Sequence, residues 1–545
     1  MFDYTNKTIL IVDDQKPFSM MLKTMLANQG VKDIHFVETA EQAVKIAHRV
    51  QYDIYLLDYN LGSGKNGIQL LDYLKKNKLI PNHAICFIVT GDGTTEMVLT
   101  AIEKSPDDYL MKPFSEIQLN KRLKLAAQRK LLYQDIYQSI SEKKYEVAIQ
   151  QCKEKIAQET KNLNTYKNLL AEIYIQTEKY TEAEAILKPL VDLRLLVRSS
   201  INLGKSYYLQ KKYLQAINVL KQLIKHSPLQ MEAYQWLARA YKENNQLEKA
   251  LIVLTKAAEI TNHSIERHQE LALLANEMQE HQIMLNSYSA ILLLNRNSFY
   301  PDPCHLANYI RSIIEYAKQE DDMKIRKHIL KKVDSTLYQS RFEEGRNTEF
   351  NFAGFDEICQ AKVSFAMNEP LKAKRRIFNT LKKTEESIPE FDTTFLTEAL
   401  FSLLEIGEFE EAAPYLKELG TRDIIDPTTA INIKKQTGDS LDKRMKNFKG
   451  YNQTGIEYFS AGGLEEALNS FDKALALEPL NSGALLNRSQ VLIRILQEKT
   501  DKDKDRNKLI KQCEKSFALL SNTHLPENHA KRLSSLLKEL RELKF

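Results

Sequence analysis

Five short apolar runs mark the first 125 residues, separated by stretches whose apolar positions recur at helical spacing. The runs are Thr8–Val12 (TILIV), Ile34–Val37 (IHFV), Ile54–Leu57 (IYLL), Ile85–Val89 (ICFIV) and Tyr109–Met111 (YLM). Runs of this length, bounded by polar residues, predict strands. The intervening PFSMMLKTMLANQG, TAEQAVKIAHRVQ, GIQLLDYLKKNK and TTEMVLTAIEKS predict helices, and SEIQLNKRLKLAAQRK predicts one more after the last strand. Strands that alternate with helices in this way predict a doubly wound α/β domain with a parallel sheet.

Beyond Ala126 the pattern changes and stays helical to the end. The small or apolar residues Ala183, Ala216, Ala250 and Met284 follow one another at 33, 34 and 34 positions, and Tyr174, Tyr207 and Tyr241 at 33 and 34. A fixed period of this size predicts stacked helix–turn–helix units. Each unit has a helix bearing small-x-x-Tyr, a polar turn and a second helix, as in NLGKSYYLQKKYLQAINVL and WLARAYKENNQLEKALIVL. A small residue in the first helix lets the pair approach closely, and larger residues three and four positions away fill the space around it.

Composition sharpens this division. The 17 glycines and 14 prolines are fewer than 6% of 545 residues, against roughly 12% in an average protein. That scarcity excludes collagen-like, Pro/Gly-rich disordered and all-β architectures. A net charge of +5 is small for so long a chain and calls for neither a nucleic-acid nor a membrane partner. The five cysteines are far apart, with no C-x-x-C pair, which fits reduced thiols better than a disulfide frame. No uncharged apolar stretch approaches 18 residues, and Asp3 and Tyr4 interrupt any signal-peptide start, so the expected location is the cytoplasm.

Candidate chemistry gathers at the carboxyl ends of the predicted strands, where doubly wound sheets carry their sites. Asp13 and Asp14 follow the first strand, Asp58 the third, Thr90 the fourth and Lys112 the fifth. Three carboxylates at one sheet edge repel one another unless a hard divalent cation is shared among them, and Mg²⁺ suits oxygen ligands of this kind. A nucleophilic carboxylate, a hydroxyl and a fixed cation are what acceptance of a phosphoryl group requires. Asp58, Thr90 and Lys112 have those chemistries.

The segments ILIVDDQ, YLLDYNLG, FIVTGDG and DYLMKPF, about 23% of the chain, resemble the receiver domain of two-component response regulators. The resemblance implies a flavodoxin-like (CheY-like) fold with strand order 2-1-3-4-5. It also implies that Asp58 accepts a phosphoryl group from a histidine kinase or phosphotransfer protein. Asp13, Asp14 and Asp58 would hold Mg²⁺ together with the main-chain carbonyl of Asn60. Thr90 and Lys112 would bind phosphoryl oxygens, Tyr109 would change rotamer with Thr90, and Pro113 would follow a cis peptide bond. Two departures stand out: the acceptor loop Asp58–Gly67 (DYNLGSGKNG) is long and carries glycine at 62, 64 and 67, which suggests a pliable loop, and Ser105-Pro106 precedes Asp107.

The second part resembles the tetratricopeptide repeat (TPR), with TGIEYFSAGGLEEALNSFDKALALEP the closest stretch. There Tyr451, Gly455, Tyr458, Ala467, Phe471, Ala474 and Pro479 fall in phase. The expected organisation is a receiver at 1–125, a connecting helix at 126–140 and a repeat array at 141–545. That array would hold nine or ten units, weaker at about 263–450, and HAKRLSSLLKELREL would cap it. Repeats that contact mainly their neighbours form an extended superhelix. The resemblance implies a concave groove that binds proteins or peptides, with Asn168, Lys205, Arg239 and Lys242 as groove-facing candidates. A basic row there would receive an acidic segment or a carboxylate. The mixed-sign Lys499–Lys511 reads as an exposed extension.

No H-E-x-x-H, G-x-S-x-G, Walker A or dinucleotide fingerprint occurs, and no helix-turn-helix output module remains once the repeats are assigned. The expected function is therefore a phosphorelay response regulator, not an enzyme, whose output is protein–protein interaction, acting on a sensor kinase, another regulator or an effector. The rival readings are a scaffold whose receiver docks or dimerises constitutively, and a nucleic-acid-binding helical array. A homodimer is also admitted.

Overall fold

In a computed structural model of the chain, residues 6–62, 64–91, 106–158, 162–296, 298–344, 349–383, 387–498, 506–521 and 525–543 are described. The helix expected at TTEMVLTAIEKS, Ser105 and most of the extension at Lys499–Lys511 lie outside those residues. The chain divides into two units, Met1–Pro301 and Asp302–Phe545.

The first unit begins with β1 (Thr8–Val12), α1 (Lys16–Asn28), β2 (Asp33–Val37), α2 (Ala40–Ala47), β3 (Ile54–Asp58), α3 (Gly67–Lys76), β4 (Ile85–Thr90), β5 (Asp108–Met111) and α4 (Glu116–Ser141). All the strand pairs are parallel, in the order β2-β1-β3-β4-β5. Because successive strand side chains point to opposite faces, one continuous apolar run feeds two cores. Leu10, Val12, Tyr55, Leu57, Cys86 and Ile88 pack with α2 and α3 on one face. Ile9, Ile11, Ile54, Leu56, Phe87 and Val89 pack with α1 and α4 on the other.

Local signals start the helices. Asn66 and Gln69 form a reciprocal capping box at α3, and Ser115 and Gln118 form another at α4, so each satisfies two orphan N–H groups. α4 then runs for 26 residues without interruption. Its first half supplies Leu119, Leu123 and Ala126 to the sheet core. Its second half pairs with α5 (Tyr145–Gln158). The last receiver helix and the segment expected as a separate connector are one helix.

Further helical hairpins follow in the same unit: α6 (Leu163–Gln176) with α7 (Tyr180–Leu193), α8 (Val197–Leu209) with α9 (Tyr213–His226), α10 (Met231–Glu243) with α11 (Leu247–Ile260), and α12 (Ile265–Glu277) with α13 (His281–Arg296). Ala183, Ala216, Ala250 and Met284, the periodic small or apolar positions, are all buried. Gly204 shows why smallness matters: a Cβ there would stand 2.6 Å from the Leu220 side chain on α9.

The second unit holds α14 (Pro303–Lys318), α15 (Met323–Glu344), α16 (Phe352–Ala366), α17 (Pro370–Lys383), α18 (Thr393–Glu405), α19 (Phe409–Leu419), α20 (Pro427–Thr437), α21 (Asp439–Ser460), α22 (Leu464–Leu477), α23 (Ser482–Glu498), α24 (Arg506–Leu520) and α25 (Glu527–Glu542). Gly455 repeats the Gly204 arrangement, with a Cβ there 2.7 Å from the Phe471 ring. Buried ions join helices that are distant in sequence. Glu398 on α18 meets Arg311 on α14 (2.6 Å) and Lys362 on α16. Burial works against its charge, yet Arg311 and Lys362 together hold its carboxyl below the usual range.

Candidate functional site

The parallel sheet brings the carboxyl ends of β1, β3, β4 and β5 to one edge. The chain leaves β1 at Asp13, which stays buried with its N–H bonded to the Val37 carbonyl (3.1 Å) and its Oδ1 accepting from the Gln15 N–H (2.8 Å). Asp14 beside it faces solvent. Asp58 is the last residue of β3 and only 4% exposed. Lys112 follows β5, where its N–H donates to the Thr90 carbonyl at 2.7 Å. Its Nζ donates to Asp13 Oδ2 at 2.7 Å and to Asp58 Oδ2 at 2.9 Å. The same ammonium lies 4.0 Å from the centroid of the Phe18 ring, which fixes it from a further side.

Carboxylate oxygens of Asp13, Asp14 and Asp58 lie within 4.8 Å of one another. Burial, helped by Asp13 and Asp14, outweighs the pull of Lys112 and leaves Asp58 raised to about 6. The edge therefore carries more negative charge than one lysine neutralises, and its oxygen-only donors fit a hard divalent cation. Thr90 is buried at the end of β4, and the Lys112–Pro113 peptide is cis. Tyr109 is half-buried, with the Arg122 guanidinium 5.8 Å from its ring centroid.

The glycine-rich loop after Asp58 is shaped by contact as well as by backbone freedom. The Tyr59 N–H binds the Val89 carbonyl at 2.7 Å, and the Gly67 N–H returns to the Tyr59 carbonyl at 3.0 Å. A Cβ on Gly67 would stand 2.1 Å from the Asp58 carbonyl oxygen, so only glycine lets α3 start this close to the acceptor strand. Gly62 has φ +76, and its N–H is bonded to Asn60 Oδ1 at 3.2 Å.

The groove candidates are placed differently from one another. Asn168 is 5% exposed; its Nδ2 donates to the Asn164 carbonyl of its own helix and its Oδ1 is buried without a hydrogen-bond partner, so burial keeps both atoms from a partner protein. Lys205 and Arg239 both lie over the Trp236 ring, 5.3 and 4.7 Å from its centroid. Arg239 pairs with Glu270, and Lys242 with Glu277 at 2.8 Å. In place of an open basic row, Arg239 and Lys242 each pair with an acid on the next first helix, while Lys205 lies over Trp236.

One contact had no precursor in the strand-end pattern. Phe299 and Tyr300, beyond α13, lie against α3: Tyr73 is 4.4 Å from Phe299 and stacks on Tyr300 at 5.3 Å. Asn77 Nδ2 and the Tyr300 hydroxyl are 2.6 Å apart, with the hydroxyl also 3.0 Å from Asn77 Oδ1. Lys65 of the acceptor loop sits over the Phe299 ring at 4.9 Å and pairs with Glu41 at 2.9 Å. Two adjacent aromatics in the turn-rich stretch NRNSFYPDP were the available sequence signal.

This edge and sheet define a receiver, and the known families agree. Residues 9–124 match the response regulator receiver domain, and residues 207–276 match the tetratricopeptide repeat. The chain is a response-regulator receiver followed by a long all-helical region with tetratricopeptide repeats. It is 35% identical over 123 residues to the phosphate regulon transcriptional regulatory protein PhoB of Pseudomonas aeruginosa, covering 23% of this chain and 52% of that one. It is 30% identical over 124 residues to the transcriptional regulatory protein YvrH of Bacillus subtilis, covering 23% and 50%. The chain thus spans about half the length of these curated relatives. Among solved structures, the receiver domain of the Francisella response regulator 1452 is 27% identical, with 23% and 98% covered and a TM-score of 0.21. Among the described residues, no helix is long and apolar enough to cross a membrane.

Proposed function

We propose that this chain is a phospho-acceptor switch of a two-component phosphorelay, with Asp58 as the acceptor and the helical repeats as a protein-binding output. The observation that carries the reading is a buried carboxylate held by Lys112 at the edge where Asp13 and Asp14 converge. The donor would be a histidine kinase or phosphotransfer protein. An Asp58 oxygen would attack phosphorus as the donor's P–N bond breaks, leaving an aspartyl phosphate. Lys112 would meet the phosphoryl oxygens, exchanging its carboxylate partners for them, and the Thr90 hydroxyl would donate to another. Mg²⁺, held by Asp13, Asp14 and Asp58 with the main-chain carbonyl of Asn60, would supply positive charge opposite the incoming group. The protein would act as a stoichiometric acceptor in the cytoplasm, and its net charge gives it no general affinity for nucleic acid.

Two routes support a link from site to repeats, one through a continuous helix and one through a side-chain contact. α4 belongs to both the receiver core and the first hairpin, and its Tyr133 meets Tyr166 of α6 in the next hairpin at 5.3 Å. Phe299 meets Lys65 of the acceptor loop itself. A change around Asp58 that moves either element biases the other state of the array.

The test is label transfer from a small-molecule phosphodonor to the full chain, with Mg²⁺ and with chelator. One equivalent of acid-stable, hydroxylamine-sensitive label is expected with Mg²⁺, and none in Asp58→Asn. Partner capture that is unchanged by phosphodonor and by Asp58→Asn would leave the constitutive scaffold as the correct reading.

A further inference from the structure

The second unit contains a cluster of donors that the receiver chemistry does not use. α14 starts at Asp302-Pro303-Cys304-His305 and α20 at Asp426-Pro427. The two helix starts bring Cys304, His305 and Asp426 together, with one ligand atom of each within 4.8 Å of the others. Cys304 is buried and His305 and Asp426 are half-buried.

The geometry is that of a metal-ligand set. Cys304 Sγ and His305 Nδ1 are 3.7 Å apart. In a tetrahedral zinc site with Zn–S of about 2.3 Å and Zn–N of about 2.05 Å, the S···N edge is about 3.6 Å. The carboxylate is already fixed: Asp426 Oδ2 accepts from Asn308 Nδ2 (3.0 Å) and from the Thr429 N–H (2.7 Å). Supports of this kind orient metal ligands. Asp302 stands beside the thiol, its Oδ1 accepting from the Cys304 N–H at 2.9 Å. Asn308 is buried, and its Oδ1 has no hydrogen-bond partner although its amide adjoins the cluster.

We propose that Cys304, His305 and Asp426 bind a zinc-class divalent transition ion, with Asp302 or water completing the coordination. Thiolate, imidazole and carboxylate together select a borderline-soft ion over Mg²⁺ or Ca²⁺. An ordinary S–H···N hydrogen bond explains the Cys304–His305 distance, and capping places Asp302 and Asp426 at their own helix starts; neither accounts for the two starts meeting at a thiol and an imidazole. The ion would tie α14 to α20 and is independent of the Asp58 chemistry.

Co²⁺ is the probe, added to full chain stripped with chelator. One thiolate-to-cobalt charge-transfer band per chain is expected, displaced by one equivalent of Zn²⁺. The oxygen-only receiver edge cannot give this band, so Co²⁺ bound there does not interfere. Cys304→Ser should abolish it, while Cys359→Ser and Cys152→Ser keep it. Asp426→Asn, which retains the helix cap, should weaken Co²⁺ binding about 10-fold or more, with helical circular dichroism unchanged. No band in the intact chain, or a band that survives Cys304→Ser, overturns the proposal. So does undiminished affinity in both His305→Ala and Asp426→Asn.

Discussion

At the scale of single residues, the acceptor edge is an electrostatic compromise. Asp58 is pushed up to about 6 mainly by burial, against an unperturbed value of about 3.9. Its proton is held more tightly folded than unfolded, so its contribution to stability is fully present below the unfolded pKa and is lost as pH rises through about 6. Ionised Asp58 therefore strains the apo protein at neutral pH. Asp58→Asn should raise apo stability at pH 7.5 by roughly 1–3 kcal/mol, with the gain fading between pH 6 and 4. Denaturant melts at both pH values check this, and Mg²⁺ should stabilise the native chain more than the variant. Gly67 makes a second case. Gly67→Ala forces a methyl into the Asp58 carbonyl and should cost about 1–3 kcal/mol, together with a slower rate of acceptor labelling. The convergence of Asp13, Asp14, Asp58, Thr90 and Lys112 at one edge was legible because each ends an apolar run, so topology alone gathers them. The role of Gly67 was not: the glycines suggested pliability, whereas this one answers a through-space contact. Nor was the burial of Asn168, because helical phase fixes a face and the neighbouring hairpin decides whether that face is covered.

At the scale of elements, the hairpin turns explain how the repeats manage with so little glycine. Glu178, Lys211, Asn245 and Gln279 each occupy the left-handed region, at φ 60, 61, 55 and 62. They succeed one another at 33, 34 and 34 positions, the same period as the buried small or apolar residues. Each lies between the first and second helix of a hairpin. A side chain in this region costs roughly 1–2 kcal/mol, and part of that cost is recovered when the unfolded chain is made stiffer than glycine would make it. Lys211→Gly should accordingly stabilise the chain by a few tenths to about 1 kcal/mol, and Gly462→Ala, at φ 83 in the corresponding turn before α22, should destabilise it by about 1 kcal/mol. Chemical denaturation of the two variants tests both signs. The period was readable because stacking repeats the same contact at every unit. The continuity of α4 was also written in the sequence, since no glycine or proline falls between Glu116 and Ser141; the change from α/β to all-α patterning obscured it by suggesting a boundary inside one helix.

At the scale of the molecule, the contact of Phe299 and Tyr300 with α3 is the feature that local patterning could not supply, because Asn77 and Tyr300 are 223 residues apart. Apolar period reports which face of an element is covered and is silent about what covers it. Tyr73 read as one more position of an amphipathic helix; the structure shows its partners to be two aromatics carried by the last turn of the first unit. Stacked rings of this kind add roughly 0.5–1.5 kcal/mol beyond their area. A double-mutant cycle with Tyr73→Ala and Phe299→Ala should return a coupling in that range, while Tyr73→Ala paired with Leu26→Ala, in the core on the opposite face of the sheet, should return none. The cycle bears on function through Lys65, which touches Phe299 from within the acceptor loop. If the aromatic contact carries the state of Asp58 to the repeats, then phosphodonor should change hydrogen exchange in α12 and α13 of the native chain. Phe299→Ala should diminish that change while leaving the amount of label on Asp58 intact. A response of α12 and α13 that persists undiminished in Phe299→Ala would assign the coupling to α4 alone, since that helix is the other element shared by the sheet and the first hairpin.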